Sequence, residues 1–225
     1  MSHIQWSSLL PLAIGTHADH HARLSIHPMG DPARQNLERF IHQRFATAHH
    51  ADVQHYLPEL LALHDSHGRL SAAAGVRLAT DGPLFLERYL DQPLEAHVSR
   101  VAGTELERSA MVEVGNLASL SAGNARIMII AVTWLLAAAG LQWVAFTGAA
   151  TLINSFQRLG LVPTVLAPAD PQCLQGQVDQ WGTYYNQRPR VYAGNIAYGF
   201  DALTQAGVFQ RLGFPVRVKE TGHAA

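Results

Sequence analysis

The first half of the chain alternates apolar and polar positions in short runs, and these predict strands. "ARLSIHP" (22–28) predicts a strand, and "DPARQNLERFIHQRFATAHHA" (31–51) a helix opened by Asp31 with Pro32 at its first position. Leu37, Phe40, Ile41 and Phe45 recur at helical spacing, so that helix has one apolar face. "ELLALHD" (59–65) and "LSAAAGVRLAT" (70–80) flank Ser66-His67-Gly68 as a strand hairpin. "PLFLERYL" (83–90) is short, "PLEAHVSRVAG" (93–103) predicts a helix closed by Gly103, and "AMVEVGNLAS" (110–119) predicts another strand.

From Ile127 to Ala139 run thirteen residues that are nearly all apolar, bounded by Arg126 and Gly140. A bilayer span needs about 20 such residues, so this segment predicts a helix over 125–139 buried against a sheet rather than an anchor. "LQWVAFTG" then has strand composition, "TLINSFQRLG" (151–160) predicts a short helix ending at Gly160, and "VPTVLAPAD" (162–170) a final strand. A hairpin followed by a strand–loop–helix–strand unit predicts an α/β fold with a central mixed sheet and helices on both faces. The expectation is one domain over 1–225, with a core over about 22–170 and an aromatic, Arg-rich extension over 171–225 that wraps the core as irregular structure.

Composition narrows the function classes. Of 225 residues, 48% are hydrophobic and 15% charged, which is ample for a core. A formal net charge of −1 removes the electrostatic case for nucleic acid. With Cys173 as the single cysteine, no intrachain disulfide can form. The start lacks a basic segment ahead of an unbroken apolar one, so no signal peptide is expected and the protein is placed in the cytoplasm. His17, His20 and His21 lie close together, as do His49 and His50, and His64 and His67, without His-Glu-x-x-His or Cys-x-x-Cys spacing. No metal is expected. No Gly-x-Ser-x-Gly elbow is present either.

Chemistry concentrates where the strand at 110–119 runs through "SLSAGNAR" into the apolar helix. Small residues allow close backbone approach, and a helix start offers free N–H groups and a positive dipole end to an anion. Glu113 lies inside the apolar strand beside this turn. Burial would raise its pKa and suit it to take a proton from an amine; the competing reading is a surface or Arg-paired carboxylate. Glu87 and Arg88 in "FLERYL" are second candidates for the site, or members of a structural ion pair. "WGTYYNQRPRVY" (181–192) either lines an acyl or acceptor pocket, with Tyr184 and Tyr185 contributing, or packs over the sheet.

The strand, small-residue turn, apolar helix and strand, followed by "AATLINSFQRLGL" (149–161), resemble the core of the GNAT acyltransferases over about 59–165. "LERFIHQRF", "LPELLALHDSHGRLSAAAGVRLA", "LFLERYLDQPLE", "VEVGNLAS" and "WGTYYNQRPRV", in that order, resemble the bacterial thermostable hemolysins. "LFLERYL" followed by "VEVGNLAS" is also similar to acyl-homoserine-lactone synthases, which use a GNAT-like fold.

The GNAT resemblance implies that backbone groups of Leu117, Ala118 and Ser119 meet the pantetheine arm of acyl-CoA, and that amides of Ala122, Gly123, Asn124, Ala125 and Arg126 hold its pyrophosphate. The family's Gln/Arg-x-x-Gly-x-Gly/Ala pattern reads Ala122-Gly123-Asn124-Ala125-Arg126-Ile127 here and so departs from it, including at its first and last positions. Phe156 stands where the family usually has a tyrosine, so it has no proton for a leaving thiolate. The implied activity is acyl transfer from acyl-CoA or an acyl carrier protein to a small amine, with S-adenosylmethionine in place of CoA left open. The hemolysin resemblance implies membrane action instead, and a GNAT-like binding module without catalysis is a third reading.

Overall fold

The computed structural model describes residues 6–15 and 22–215. The apolar runs become β1 (Leu12–Ile14), β2 (Ala22–His27), β3 (Glu59–His64), β4 (Leu70–Leu78), β5 (Met111–Ser119), β6 (Trp143–Gly148), β7 (Thr164–Pro168) and β8 (Arg190–Asn195). They form one sheet in the order β1-β2-β3-β4-β5-β6-β8-β7. Every neighbouring pair is antiparallel except β5 and β6, which are joined by a helical crossover and so run parallel. The helices are α1 (Arg34–His49), α2 (Leu94–Ala102), α3 (Ala122–Ala138), α4 (Ala150–Gln157), α5 (Ile196–Gln205) and α6 (Val208–Leu212).

The apolar segment that opens at Arg126 is the body of α3. Met128, Ala131, Leu135 and Leu136 are buried in one cluster with Leu61, Val76 and Val112 of the sheet and Leu203 of α5. Being covered from both sides explains why its apolar residues encircle the helix instead of forming one stripe. Among the described residues, no helix is long and apolar enough to cross a membrane. On the other face of the sheet, Leu37 and Ile41 of α1 pack on Leu60, Ala62 and Ala73, while Leu86, Leu94 and Val98 pack on Met111, Trp143 and Ala145.

Three elements differ from the sequence expectation. Helix α1 starts at Arg34, because Asp31 caps a preceding turn: its carboxylate accepts the Ala33 N–H at 2.8 Å and its carbonyl the Arg34 N–H at 3.0 Å. Helix α3 starts at Ala122 rather than 125, since the Ser121 hydroxyl accepts the Asn124 N–H at 3.2 Å and caps it one turn earlier. The segment after 170 is not only irregular wrapping. It supplies β8, inserted between β6 and β7 with Val191 and Ala193 fully buried, and α5, which packs on α3.

Arg34 fixes the approach to β3. It is 5% exposed and donates to the carbonyls of Leu57 (2.8 Å), Pro58 (2.5 Å) and His27 (3.3 Å) and to Glu38 Oε1 (2.7 Å). Charged hydrogen bonds of this kind are worth about 1.5–3 kcal/mol each where the acceptor is otherwise stranded. Arg34→Met keeps the packing volume but strands these carbonyls. It is expected to cost about 2–3 kcal/mol, read as a lower melting temperature.

Candidate functional site

β5 and β6 pair only from Met111↔Trp143 to Glu113↔Ala145. Beyond that point β5 runs to Ser119 and β6 to Gly148 without a ladder between them among the described residues. A bulge in β5 accompanies the parting. Gly115 faces Gly75 and Ala118 faces Ala73, so Asn116 and Leu117 together oppose Ala74. Asn116 sits at φ 52°, a left-handed conformation that asparagine tolerates better than most residues. Its side chain accepts the Leu57 N–H at 2.9 Å and donates to the His55 carbonyl at 3.0 Å. Leu57 crosses so close that a Cβ on Gly75 would lie 2.8 Å from the Leu57 Cβ.

The bulge also reverses the faces of β5. Val112 and Val114 belong to the α3 side; past the bulge Leu117 does, while Ala118 packs with Leu37 and Ile41 of α1. A cavity of about 420 Å³ occupies the gap and reaches both sides of the sheet. On one side its wall is largely aliphatic, from Met128, Ile129 and Val132 of α3 with Val144 and Leu152, beside the stacked rings of Phe146 and Phe156. On the other it is aromatic, from Phe45, Phe85, Tyr89, Trp181, Tyr184 and Tyr185.

Glu113 stands where the two strands part. It is 4% exposed, and its Oε2 and Oε1 accept the N–H groups of Phe85 (2.8 Å) and Leu86 (2.9 Å) in a 3-10 turn, Phe85–Tyr89. Burial pushes its pKa up; the two N–H donors and Arg77, its cross-strand neighbour, pull back only partly, leaving it at about 7. This is a carboxyl poised to exchange a proton at neutral pH.

Glu87 goes elsewhere. Burial acts to raise it, but the Arg108 guanidinium (2.6 and 2.8 Å) and the N–H groups of Leu94 and Leu84 outweigh that and hold it at about 2. It lies outside the cavity wall, as a paired carboxylate that also braces the start of α2, and so drops out as a candidate base. Arg88 is outside the wall as well, 4.6 Å over the Phe85 ring and bonded to Gln177 at 3.0 Å. Tyr184 and Tyr185 both line the cavity, and burial raises both hydroxyls well above the ordinary tyrosine range. The Tyr185 hydroxyl meets that of Tyr89 at 2.5 Å.

Of the residues expected to hold a donor, Leu117, Ser119, Ala122, Ala125 and Phe156 line the cavity. Ala118 turns to α1, and Gly123, Asn124 and Arg126 lie along α3 outside the wall. The expected loop of amides is the first turn of α3. The Ala125 N–H already donates to the Ser121 carbonyl at 3.0 Å and the Asn124 N–H to the Ser121 hydroxyl. The N–H groups of Ala122 and Gly123 have no acceptor among the described residues. Phe156 stacks on Phe146 at 4.8 Å and 7°.

Sequence reasoning missed His55, Tyr89 and Thr147. His55 stacks on Phe85 at 5.1 Å, and burial lowers its pKa, with Arg88 and Arg77 adding to the effect. Thr147, on β6 two positions beyond the Glu113↔Ala145 pair, has a buried hydroxyl with no partner among the described residues. A threonine beside glycine at the end of an otherwise apolar strand was the available signal. The cluster His17, His20 and His21 lies outside the described residues, among which no group of three or more His, Cys, Asp or Glu could hold a metal ion. Cys173 is a free thiol, half-buried.

No curated protein matches the chain in sequence. Among solved structures it is similar to BjaI, a CoA-dependent acyl-homoserine lactone synthase solved with SAM and isopentyl-CoA: TM-score 0.58, 16% identity, covering 87% of this chain and 91% of that one. It is similar to FeeM, an N-acyl amino acid synthase from uncultured soil microbes: TM-score 0.53, 11% identity, 82% and 96% covered. TofI in an apo form gives a TM-score of 0.55 at 18% identity, with 80% and 95% covered. The chain therefore shares the fold of these synthases, and its own bulged strand and parting β5–β6 pair lie at the centre of the sheet. The model of the family described as thermostable hemolysin matches residues 27–200, and the chain belongs to that family.

Proposed function

We propose that the protein is an acyltransferase that moves an acyl group from a thioester donor, acyl-CoA or an acyl carrier protein, to a small amine. The observation that carries this reading is the cavity through the β5–β6 gap with a buried Glu113 at its apex. The gap leaves one edge of β5 beyond Glu113 unpaired by β6, so an amide-bearing arm can bond to it. The first-turn N–H groups of Ala122 and Gly123 suit its phosphates. BjaI is named as CoA-dependent and FeeM as an N-acyl amino acid synthase, which supports the same reaction class here.

In this reading Glu113 takes one proton from the bound ammonium and releases it to solvent. The neutral nitrogen attacks the thioester carbonyl carbon, forming C–N. The unpartnered Thr147 hydroxyl is a donor for the oxyanion that develops. Collapse breaks C–S, and the second nitrogen proton passes through Glu113 to the thiolate sulfur. The products are an amide, a thiol and one proton. Phe156 takes no part in proton transfer, so the carboxyl serves both steps.

The test is thiol release from a medium-chain acyl-CoA by the purified full chain. Release that depends on added amine supports the reading; no release, or release indifferent to amine, contradicts it. Lysis of erythrocytes with no thioester present would favour the membrane action carried by the family name.

Ala122→Pro probes the donor site. Proline is favoured at the first helical position, and Ser121 already has the extended conformation (φ −151°, ψ 163°) that precedes proline comfortably. The fold should survive while one phosphate-facing N–H is lost. Acyl-CoA binding by calorimetry is expected to weaken by about tenfold or more, given about 1.5–3 kcal/mol for a hydrogen bond to a charged group. Full affinity in the folded variant would move the phosphates away from α3.

A further inference from the structure

We propose that Ser25 is an activated nucleophile at a second site, which takes the acyl group of a small carboxylic ester and releases it to water. The site lies on β2, and none of its residues lines the cavity at the β5–β6 gap. Ser25, His27 and Asp31 form one hydrogen-bonded relay. The Ser25 Oγ meets His27 Nε2 at 2.9 Å, and His27 Nδ1 meets Asp31 Oδ2 at 2.9 Å.

Charge fixes the polarity of this relay. The Ala33 N–H, bonded to Asp31 Oδ1 at 2.8 Å, pulls the Asp31 pKa below the ordinary aspartate value, and His27 adds to the pull. A carboxylate only accepts, so His27 Nδ1 carries a proton and donates it. In the neutral ring Nε2 then holds the lone pair, and the Ser25 hydroxyl donates to it. An imidazole so placed can remove a serine proton, while the carboxylate keeps the ring in the tautomer this needs. Asp31 acts through His27, as a positioning residue. The bond from Ala33 anchors it in the turn before α1, and the His27 side chain is only 15% exposed.

The strand also places a cation on the far side of the nucleophile. Alternate residues of a strand share a face, so Arg23, Ser25 and His27 stand in a row with Ser25 in the middle. Arg23 is exposed, and its guanidinium forms no hydrogen bond or ion pair among the described residues. Its side chain is long enough to cover the spacing of about 7 Å between alternate residues of a strand. Ser25 is half-buried, so the row is reached from solvent, which suits a small ester with a good leaving group.

The reaction needs only water besides the ester. The Ser25 oxygen attacks the carbonyl carbon, and its proton passes to His27 Nε2. Arg23 stabilises the oxyanion. Collapse breaks the bond to the leaving oxygen, which takes the proton from His27. Water then attacks the acyl-serine, and its proton returns through His27 to the Ser25 oxygen. The products are an acid and an alcohol.

The experiment maps the adduct that a fluorophosphonate forms on the full chain. The Ser25 oxygen displaces fluoride from phosphorus, and peptide mass spectrometry locates the added mass. An adduct on Ser25 is expected, and none at that position in Ser25→Ala. Turnover of p-nitrophenyl acetate should fall by about a hundredfold in that variant. Asp31→Asn keeps an oxygen for the Ala33 N–H but turns an NH₂ toward His27, which forces the other tautomer. Its adduct should form about a hundredfold more slowly at a nearly unchanged melting temperature. Arg23→Met should slow ester turnover by about tenfold. No adduct on Ser25, or full activity in Ser25→Ala or in folded Asp31→Asn, overturns the proposal and leaves the relay as a fastening between β2 and the turn. Neither readout involves acyl-CoA or an amine, so failure here is separate from failure of the acyltransferase reading.

Discussion

Glu113→Gln is expected to lower turnover by about 10²–10⁴, the usual contribution of a general base, with acyl-CoA affinity nearly unchanged. The wild-type rate should rise with pH through about 7, where the buried carboxyl loses its proton, and the variant should lack that limb. The substitution also has a structural cost. Both Glu113 oxygens accept N–H groups, and glutamine offers one oxygen and one NH₂, so one backbone donor is stranded at about 1–3 kcal/mol. Rate must therefore be expressed per folded molecule. Stability adds a second signature. A carboxyl raised from 4.5 to about 7 binds its proton more tightly in the folded chain. The resulting stabilisation is full below about 4.5 and is lost as pH rises through 7. The melting temperature of the wild type should fall across that window, and that of Glu113→Gln should fall less. A folded variant with full turnover would remove Glu113 from the mechanism.

Gly182→Ala should be the most disruptive small substitution on the aromatic side. Gly182 has φ 51° and ψ −123°, and a Cβ there would lie 2.2 Å from the His49 carbonyl oxygen and 2.6 Å from that of His50. These atoms are backbone and cannot swing aside. The same place carries the ties that hold the 171–189 segment to the end of α1: Thr183 N–H to the His49 carbonyl at 2.7 Å, and Asp52 N–H to the Gln180 carbonyl at 2.7 Å. Relieving the clash means lifting Trp181, Tyr184 and Tyr185 off the cavity. Overpacking of this kind costs about 1–3 kcal/mol, to which the left-handed backbone adds about 1–2. The melting temperature should drop and the near-ultraviolet aromatic signal should diminish, together with amine-dependent turnover. An unchanged melt would show that the turn absorbs the methyl group and that the segment is not tied as described.

The parts legible in the sequence are those whose signals are local. β3, β4 and the turn at Ser66–Gly68 follow from apolar runs broken by a glycine, which indeed sits at φ 73°. The thirteen-residue apolar run specified a helix covered on both sides. Glu113 stood out as a carboxylate inside an apolar strand. What separates it from Glu87 was not local, since both occur in apolar surroundings. Glu87 meets Arg108, 21 residues away, whereas Glu113 meets backbone donors 27 and 28 residues away. No periodicity encodes that choice of partner. β8 was missed for the same reason. "RVYAGN" follows a stretch rich in Tyr, Gln and Arg and becomes a strand because β6 and β7 leave a slot between them. The bulge at Asn116 was not anticipated, since the strand at 110–119 was expected unbroken and the grip of Asn116 on His55 and Leu57 depends on a crossing segment some 60 residues earlier in the chain.

The central claim is that the β5–β6 gap is the donor cleft. Amide hydrogen exchange of the full chain, with and without a medium-chain acyl-CoA, tests it most directly. The account predicts slower exchange confined to residues 114–119 of β5 and to Ala122 and Gly123 at the start of α3, with β1 to β3 unchanged. Unaltered exchange in both segments at saturating acyl-CoA, or protection only elsewhere in the chain, would contradict it.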